Sequence, residues 1–376
     1  MRKLLIVSSD DYILYQPTVL NLYDYLEGDF EVTVINFEPR FLGRKKDAQR
    51  RVIYLSLPEW KRRLCRVVDL CVNAVLKRID WYIRPVHVRS TLVRQLRARV
   101  LRGALQRAGA ADVIAVDSLP LYVAQQVYER CHFLSLEIIP NDPFMKKADM
   151  DRIASVVIQT EDRYRFLFHD RVLPVFYIQN APFCKNIYYN RGPRKGLVWA
   201  GSIVKEFAVF RTLDFVRSFP DYRLVLKGAA DMKTRPRLLS AYGDLLQSGQ
   251  VVMDENYLSA QDYIRYLSQF SIGFCFYGWD LIQRNFNYQT APSGKLFMYL
   301  AAGVPVIACN IPAFRFLETD GAGVLVDDYE PQTIYAAIKR IEADYDRYRE
   351  RCYAAATRFC FDTNAAVFKS YLLNQA

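Results

Sequence analysis

A short polar segment in the second half of the chain carries the clearest chemical signal. Pro292, Ser293 and Gly294 interrupt the surrounding apolar pattern, and Lys295 opens a run with helical spacing that ends at Gly303. A helix that begins at such a Ser-Gly pair directs unbonded backbone N–H groups and its positive dipole end at whatever lies in front of it. Glycine also lets an anion approach the backbone closely. The segment therefore predicts an anion site, for which a diphosphate is the best-fitting ligand.

Loops that follow the other predicted strands supply further candidates for this site, because ligands of open parallel sheets bind beyond the carboxyl ends of the strands. Cations and backbone dipoles there stabilise a leaving group that gains negative charge. The candidates in the second half of the chain are Gly201, Ser202, Lys205, Lys227, Gly228 and Tyr277. A solvated surface position is an equally good interpretation of Lys205, and Lys295 has an alternative role as the ion-pair partner of an acid.

Two carboxamides precede the anion segment. Asn287 and Gln289 lie in an amide-rich tract, and carboxamides bind sugar hydroxyls as both donors and acceptors. We therefore predict that these two side chains hold the sugar of a ligand. The competing interpretation is a polar loop that is only solvated.

Carboxylates in the first half of the chain are candidates for a general base. Asp117 and Glu137 each follow a predicted strand, and Asp10 and Asp11 follow the first strand. Each of the three sites can supply a base for an acceptor hydroxyl if a transfer reaction inverts configuration. Asp117 has a competing role as the N-cap of the helix that begins at Leu119. The sequence does not rank these three sites.

Short β-rich runs alternate with helical stretches along the chain. Such alternation predicts an α/β architecture with mainly parallel, doubly wound sheets. The predicted strands of the first series are residues 4–8, 31–36, 52–55, 112–116, 133–136 and 155–159. Those of the second series are residues 197–200, 222–226, 250–253, 271–276, 304–308 and 323–326. A polar break separates the two series, so we predict two domains, residues 1–185 and 190–355.

The anion segment belongs to a longer pattern. Its residues are Pro292, Lys295, Tyr299, Ala301, Gly303, Pro305 and Val306. With one residue inserted after the proline, this pattern resembles the P-x-K-x-x-E-Y-x-A-x-G-x-P-V signature of the GT-B glycosyltransferases, in particular the bacterial group 1 type. The resemblance implies two Rossmann-like domains that face an interdomain cleft. It also implies that residues 356–376 form a helix that crosses back to the first domain.

The same resemblance implies a function. The donor is then a nucleotide sugar, and the acceptor is a hydroxyl of a lipid-linked or polysaccharide glycan, as in bacterial-type surface glycan synthesis. Lys205 matches a position where the family often carries a phosphate-binding cation. No metal or other cofactor is expected, because the helix dipole and the lysines neutralise the diphosphate instead.

Two glutamates of the family are missing from this chain. Met298 stands where the family carries a glutamate that accepts hydrogen bonds from the ribose, and Thr290 stands where retaining members carry a second one. Met298 is then expected to contact the ribose less polarly, with Asn287 and Gln289 replacing the acids. The losses slightly favour an inverting reaction. They leave two alternatives open, a non-catalytic paralogue that binds a nucleotide sugar or a partner enzyme, and a sugar-nucleotide epimerase of the same fold.

The positive charge of the chain is concentrated in one segment. The formal net charge is +11, and the stretch 61–107 holds thirteen basic residues against two acids. Apolar and aromatic residues are mixed with these cations over residues 60–108, a pattern typical of segments that bind anionic membrane surfaces. Family members with lipid-linked acceptors use the first domain in this way. A solvated helix face and a nucleic-acid footprint are the alternatives; no nucleic-acid motif accompanies the charge, so we expect no such partner.

Composition and cysteine usage limit the class of protein. With 376 residues and 52% hydrophobic content, the chain is long and apolar enough for two cores. It shows no signal peptide and no apolar run of roughly 20 residues, so we expect a cytoplasmic protein that is peripheral to the membrane. The eight cysteines are scattered and the three histidines lie apart. We therefore expect free thiols in a reducing compartment and no metal cluster.

Overall fold

The computed structural model describes residues 1–9, 13–38, 46–61, 63–64, 67–68, 86–109 and 112–375. Contacts within the chain divide it into two compact units. Unit 1 comprises Met1–Ile158 and Asp170–Phe176, and unit 2 comprises Gln159–His169 and Tyr177–Ala376. The short segment Gln159–His169 therefore belongs to unit 2, although the chain returns to unit 1 for Asp170–Phe176.

Unit 1 is built around a sheet with the strand order β3-β2-β1-β4-β5-β6-β7. Its strands are β1 (Arg2–Val7), β2 (Phe30–Phe37), β3 (Val52–Leu55), β4 (Asp112–Val116), β5 (Cys131–Leu134), β6 (Ile153–Ile158) and β7 (Val175–Tyr177). Parallel pairing joins neighbouring strands from β3 through to β6. Its described helices are α1 (Pro17–Leu26), α2 (Val86–Ala108) and α3 (Ser118–Ala124), with 3₁₀ turns at Ile13–Tyr15, Met145–Lys147 and Met150–Arg152.

Unit 2 contains a second sheet with the strand order β10-β9-β8-β11-β12-β13. Its strands are β8 (Leu197–Ala200), β9 (Leu224–Lys227), β10 (Val251–Asp254), β11 (Ile272–Cys275), β12 (Val306–Cys309) and β13 (Gly323–Val326). All neighbouring strands pair in parallel.

The helices of unit 2 surround this sheet. They are α4 (Glu161–Phe168), α5 (Val209–Ser218), α6 (Thr234–Gln247), α7 (Ala260–Leu267), α8 (Trp279–Arg284), α9 (Phe286–Thr290), α10 (Gly294–Ala301), α11 (Phe316–Thr319), α12 (Pro331–Glu342), α13 (Tyr345–Phe359) and α14 (Phe361–Asn374). Short 3₁₀ turns lie at Cys184–Asn186, Lys205–Phe207 and Pro312–Phe314. Apart from the edge strand β10, in which Val252 is 48% exposed, the strands between these helices are buried nearly throughout, as parallel strands covered on both faces should be.

Both sheets have the 3-2-1-4-5-6 strand order of a doubly wound Rossmann fold, which confirms the predicted architecture. The order reverses between β1 and β4 in unit 1, and between β8 and β11 in unit 2. In sheets of this kind, ligands bind at the carboxyl ends of the strands beside such a switch point. Each unit therefore has one edge at which a site is expected.

Tyr299 fixes α10 against the second sheet. Its side chain is fully buried, and its hydroxyl accepts a hydrogen bond from the backbone N–H of Ala200 at 2.7 Å. Gly273 of β11 leaves room for the ring, since a Cβ at that position would lie 2.7 Å from it. Because Tyr299 ties α10 to both β8 and β11, the first turn of this helix is held at the carboxyl edge of the sheet.

One pair of cysteines departs from the prediction that all thiols are free. Cys184 and Cys360 form a disulfide, whereas Cys131, Cys275, Cys309 and Cys352 are free and buried. The pair joins the turn after residue 183 to the junction of α13 and α14, where the Cys184 N–H also donates to the Asp362 carboxylate at 2.8 Å. The sequence did not predict this pairing, because the two cysteines are 176 residues apart and belong to no recognisable cysteine motif.

Much of the predicted membrane segment lies outside the described residues, namely residues 62, 65–66 and 69–85. Residues 59–61, 63–64 and 67–68 are helical, and α2 contains the rest of the segment. Within the described ranges, no helix is both long and apolar enough to cross a membrane.

Candidate functional site

The switch point of the second sheet places several loops around the first turn of α10. Gly201 and Tyr277 come shortly after the ends of the neighbouring strands β8 and β11. Ser293 is the N-cap of α10 in an extended conformation, and its side chain does not cap the helix. Across the described chain, no protein acceptor is bonded to the N–H groups of Gly294 and Lys295. The helix therefore presents free donors and its positive end at the edge where ligands bind.

Lys295 extends from this turn into a cage of aromatic rings. Its ammonium Nζ lies 4.5 Å from the ring centroid of Trp199, 5.3 Å from that of Phe207 and 5.7 Å from that of Tyr277. No carboxylate of the described residues forms an ion pair with it, so the alternative role suggested by the sequence is not the one that the structure shows. Ring faces stabilise the ammonium without neutralising its charge.

Gly201 and Gly228 allow two loops at this edge to touch. Both have positive φ angles, 101° and 149°, a region that suits glycine. A Cβ on Gly228 would lie 2.0 Å from the carbonyl oxygen of Gly201, and the Gly201 N–H donates to the Lys227 carbonyl at 2.9 Å. The two glycines therefore set the shape of the loops. Ser202, next in the chain, is exposed, and its carbonyl accepts from the Trp199 indole N–H at 3.4 Å.

The two lysines of these loops have different environments. Lys227 is buried and forms an ion pair with Asp254 at 2.9 Å, with a further hydrogen bond to the Asn256 carbonyl at 2.7 Å. Burial alone would raise the pKa of Asp254, but hydrogen bonds from Lys227 and Tyr266 outweigh burial and lower it. The Lys227 charge is thus already neutralised. Lys205 is exposed, and no carboxylate of the described residues pairs with it.

Tyr277 contributes one of the three aromatic rings around the Lys295 ammonium. Its side chain is buried, and burial raises the pKa of its hydroxyl well above the usual value, with a hydrogen bond to Ser293 acting in the opposite direction. Its backbone carbonyl accepts from the Tyr329 hydroxyl at 2.6 Å. Tyr277 therefore remains a neutral phenol that couples the N-cap residue to the aromatic cage.

The two predicted sugar ligands are engaged in local hydrogen bonds. Gln289 Nε2 donates to the Ile282 carbonyl at 2.8 Å. Asn287 Oδ1 accepts from the guanidinium of Arg163 at 3.0 Å, and this guanidinium also lies 3.5 Å from Thr290 Oγ1. Asn287 Nδ2 also donates to Asn285 Oδ1 at 3.3 Å. Both polar atoms of Asn287 and the Nε2 of Gln289 therefore support the loop, and the ligand role of each carboxamide stays a prediction. Met298 is half-buried and packs against the core.

Sequence reasoning missed two residues at this edge. One is Arg163 of α4, which is completely buried and lies far from Thr290 in sequence. Its guanidinium places a cation beside Thr290, the position at which retaining members of the resembled family carry glutamate. Asn180 lies so close to Gly294 that a Cβ there would be 2.8 Å from its Nδ2. In the sequence Asn180 belongs to a polar break, which gave no sign of this contact.

Asp117 occupies the switch point of the first sheet, directly after β4. Its φ of 62° and ψ of −178° fall in a region that is nearly restricted to glycine. Its side chain does not cap α3; instead Oδ1 accepts from the backbone N–H groups of Leu136 and Glu137 at 2.7 and 2.9 Å. These bonds hold the strained backbone and join the ends of β4 and β5. Glu137 is exposed, and Asp10 and Asp11 lie outside the described residues.

Two arginines of the basic segment turn inward at this same edge. Arg94 donates to Asp142 at 2.7 Å and to the Ser118 hydroxyl at 2.9 Å. Arg97 donates to the Ser9 carbonyl at 2.6 Å and stacks over Phe37. Both therefore organise the loops around the switch point, a role that the charge count alone did not reveal.

Comparison with solved structures identifies the same architecture along the whole chain. The α,α-trehalose 6-phosphate synthase of Burkholderia multivorans superposes with a TM-score of 0.65 at 13% identity, over 100% of both chains. The sucrose-phosphate synthase of Thermosynechococcus elongatus gives 0.66 at 14%, over 100% of this chain and 99% of that one. An E. coli trehalose-6-phosphate structure bound with UDP-2-fluoro glucose gives 0.66 at 14%, over 98% of both.

These similarities confirm the GT-B fold that the sequence pattern implied. No protein-family model matches the chain, and no curated protein sequence matches it. At such low identity, any function has to be argued from the site itself.

Proposed function

We propose that this chain is a glycosyltransferase whose nucleotide-sugar donor places its diphosphate at the first turn of α10. The observation that carries the proposal is the ammonium of Lys295, which is enclosed by three aromatic rings and lacks a carboxylate partner among the described residues. The free N–H groups of Gly294 and Lys295 lie at the base of the same side chain. A similar fold in the E. coli structure bound with UDP-2-fluoro glucose supports this class of ligand.

Charge balance favours a diphosphate over a neutral sugar alone. An ammonium that is partly removed from water and unpaired is stabilised when an anion binds next to it. The helix N-terminus contributes about half of an elementary charge more. As the sugar leaves, the diphosphate gains negative charge, so these fixed positive groups stabilise the transition state more than the ground state.

These positive groups also support the proposal that the reaction needs no metal ion. Lys295 and the helix end act on the diphosphate directly, and the exposed Lys205 is available to join them. Transfer should then proceed at the same rate in the presence of excess EDTA. Restoration of lost activity by Mg²⁺ or Mn²⁺ would contradict this part of the proposal.

Asp117 is our candidate for the base that deprotonates the acceptor hydroxyl. A carboxylate at the carboxyl end of a central strand, held in a strained conformation by its neighbours, is the kind of outlier that occurs at functional sites. With no glutamate at positions 290 and 298, we propose an inverting reaction. The acceptor is proposed to be a lipid-linked or polysaccharide glycan of bacterial-type surface glycan synthesis.

An exposed apolar stripe supports attachment to a membrane. Trp60, Leu64 and Val67 are 63%, 54% and 55% exposed and have the i, i+4, i+7 spacing of one helix face. Lys61 and Arg63 lie between them. Apolar side chains flanked by cations fit the surface of an anionic bilayer. We therefore propose a peripheral location on the cytoplasmic face of the membrane.

The second candidate function is a non-catalytic protein that binds a nucleotide sugar. It is favoured by the hydrogen bonds of Asn287 and Gln289 to Arg163 and Ile282. Because these carboxamides already support the loop, each has fewer polar atoms left to replace the missing glutamates.

A donor panel separates the two candidates. UDP-, GDP-, CDP- and dTDP-sugars are titrated by calorimetry, and release of nucleoside diphosphate is measured with glycan acceptors. Binding with release supports the transferase, and binding of one donor without release for any acceptor supports the non-catalytic protein. Absence of binding heat for every donor would overturn both.

A further inference from the structure

A basic groove lies on the surface of unit 1, between α2, the end of α3 and the 3₁₀ turn at Met145–Lys147. Its cavity volume is about 260 Å³, slightly below the ~300–1,000 Å³ of pockets for drug-sized ligands. It therefore has room for a headgroup or another small polar ligand. The groove belongs to the first unit, whereas the donor site belongs to the second, so its interpretation does not rest on the proposed function.

Three cations line the groove. Arg99 and Arg102 lie three residues apart on one face of α2, and Lys147 comes from the opposite wall. All three are exposed, and none forms an ion pair within the described chain. No acidic side chain is among the residues that line the groove.

The buried carboxylate of Asp142, next in sequence to the lining residue Pro143, does not neutralise these cations. Asp142 accepts hydrogen bonds from Arg94 at 2.7 Å, from the Ser118 hydroxyl at 2.6 Å and from the backbone N–H of Phe144 at 2.8 Å. Its charge is therefore balanced by Arg94 beneath the groove. The three lining cations remain as a local positive excess.

The floor of the groove is aromatic. The ring centroids of Tyr122 and Phe144 are 5.7 Å apart and the rings are tilted by 57°. Phe144 is buried, and the Arg94 guanidinium packs on its face, 4.6 Å from the ring centroid. A packed apolar floor below a cationic rim suits a ligand that joins a charged group to a less polar one.

We propose that this groove binds a phosphoryl group through Arg99, Arg102 and Lys147, with the adjoining part of the ligand against Tyr122 and Phe144. A phosphate monoester carries about −1.5 to −2 charges at pH 7, which matches three cations better than a carboxylate with a single charge does. The planar guanidinium groups bind two phosphate oxygens at once, and Lys147 adds a point charge. The phosphoryl group belongs either to a lipid headgroup or to a soluble phosphate ester.

The test compares two variants with the same change in charge. Arg99→Glu/Arg102→Glu reverses two groove cations, whereas Arg107→Glu/Arg130→Glu reverses two exposed cations of the same unit that do not line the groove. Lys147→Gln gives a milder third variant. Circular dichroism and thermal unfolding establish that each variant is folded. The probes are glycerol 3-phosphate, titrated by calorimetry, and vesicles of phosphatidic acid in phosphatidylcholine, tested by co-sedimentation.

The expected result is a loss of at least tenfold in affinity for one probe in Arg99→Glu/Arg102→Glu, a smaller loss in Lys147→Gln, and less than a twofold change in Arg107→Glu/Arg130→Glu. Loss of glycerol 3-phosphate binding identifies a soluble ester as the ligand. Loss of vesicle binding alone identifies a lipid headgroup. Equal losses in the two double variants, or no binding of either probe to the unmodified protein, would overturn the proposal.

Discussion

The ammonium of Lys295 lies 4.5 Å from the ring centroid of Trp199, and Trp199 is completely buried in β8. The indole N–H of Trp199 donates to the carbonyl of Ser202 in the following loop. The position of the cation is thus determined by the packed core of the sheet, and not by a mobile surface rotamer. A fixed positive charge at the carboxyl edge needs little reorganisation when an anion binds, which is the property that electrostatic catalysis requires.

Replacement of Lys295 by methionine should weaken diphosphate binding. Lys295→Met keeps the apolar stem inside the aromatic cage but removes the charge, so folding is preserved. Loss of one charge-assisted hydrogen bond corresponds to about 1.5–3 kcal/mol, or roughly 10- to 150-fold in affinity. Calorimetric titration with nucleoside diphosphates measures the effect.

Lys339→Met serves as the matched control for this change. Lys339 is exposed and pairs with Glu342 on α12, so its loss should leave the affinity for nucleoside diphosphates unchanged. Lys295→Arg keeps the charge and should retain part of the binding. Unaltered affinity in Lys295→Met would show that the anion binds elsewhere.

Replacement of Gly228 by alanine should distort the edge of the second sheet. The new Cβ would lie 2.0 Å from the Gly201 carbonyl oxygen, and the φ of 149° is unfavourable for alanine. We expect a loss of about 2 kcal/mol or more in the free energy of unfolding, together with weaker donor binding. Urea unfolding measures the first effect and calorimetry the second.

Gly243 provides the control, because no atom lies within 4 Å of a Cβ at this position in α6. Gly243→Ala should be neutral or stabilising by up to about 1 kcal/mol. Equal destabilisation by the two substitutions would show that close contact between the loops is not what requires glycine at position 228.

The secondary structure was largely predictable from the sequence because both sheets are parallel and buried. A continuous apolar run such as residues 113–116 is typical of a strand that is buried on both faces, and alternation with helices then determines the parallel arrangement. Gly303 marked the end of α10 correctly, with a φ of 63°. The helix predicted to begin at Leu119 is short and ends at Ala124, and the short strand β7 was missed. A three-residue strand leaves little periodicity to detect.

The details of the sites were much less predictable. Asp117 was recognised at the right strand end, but its side chain bonds to Leu136 and Glu137 instead of capping the helix. Arg163 and Asn180 reach α9 and α10 across long sequence separations that no local pattern encodes. Local patterns report which faces are buried, whereas the partners of polar side chains depend on tertiary contacts.

Removal of the exposed stripe should weaken membrane binding. Trp60→Ser/Leu64→Ser removes two side chains that are more than half exposed. Burial of such a side chain in a bilayer interface contributes about 1.5 kcal/mol or more, so we expect at least a roughly tenfold loss. Co-sedimentation with phosphatidylglycerol vesicles measures it, and added salt should weaken the binding of the unmodified protein.

Tyr257→Ser is the control for the membrane experiment, since Tyr257 is 95% exposed but belongs to unit 2. It should leave vesicle binding unchanged. If the unmodified protein pelleted equally with neutral phosphatidylcholine vesicles, charge would play no part in its attachment, and the membrane proposal would be wrong.

The stability of the protein should fall in mild acid because of His132. This residue is buried in β5, 2.9 Å from the Ser155 hydroxyl, and burial lowers its pKa from 6.5 to about 4. Between pH 6.5 and 4, the unfolded chain therefore binds one more proton than the folded chain. As a result, the free energy of unfolding decreases as the pH is lowered, by about 3 kcal/mol over this window. Urea unfolding at several pH values should show a shallower decline in His132→Gln but not in His169→Gln, whose side chain is exposed. Equal declines in both variants would contradict this assignment.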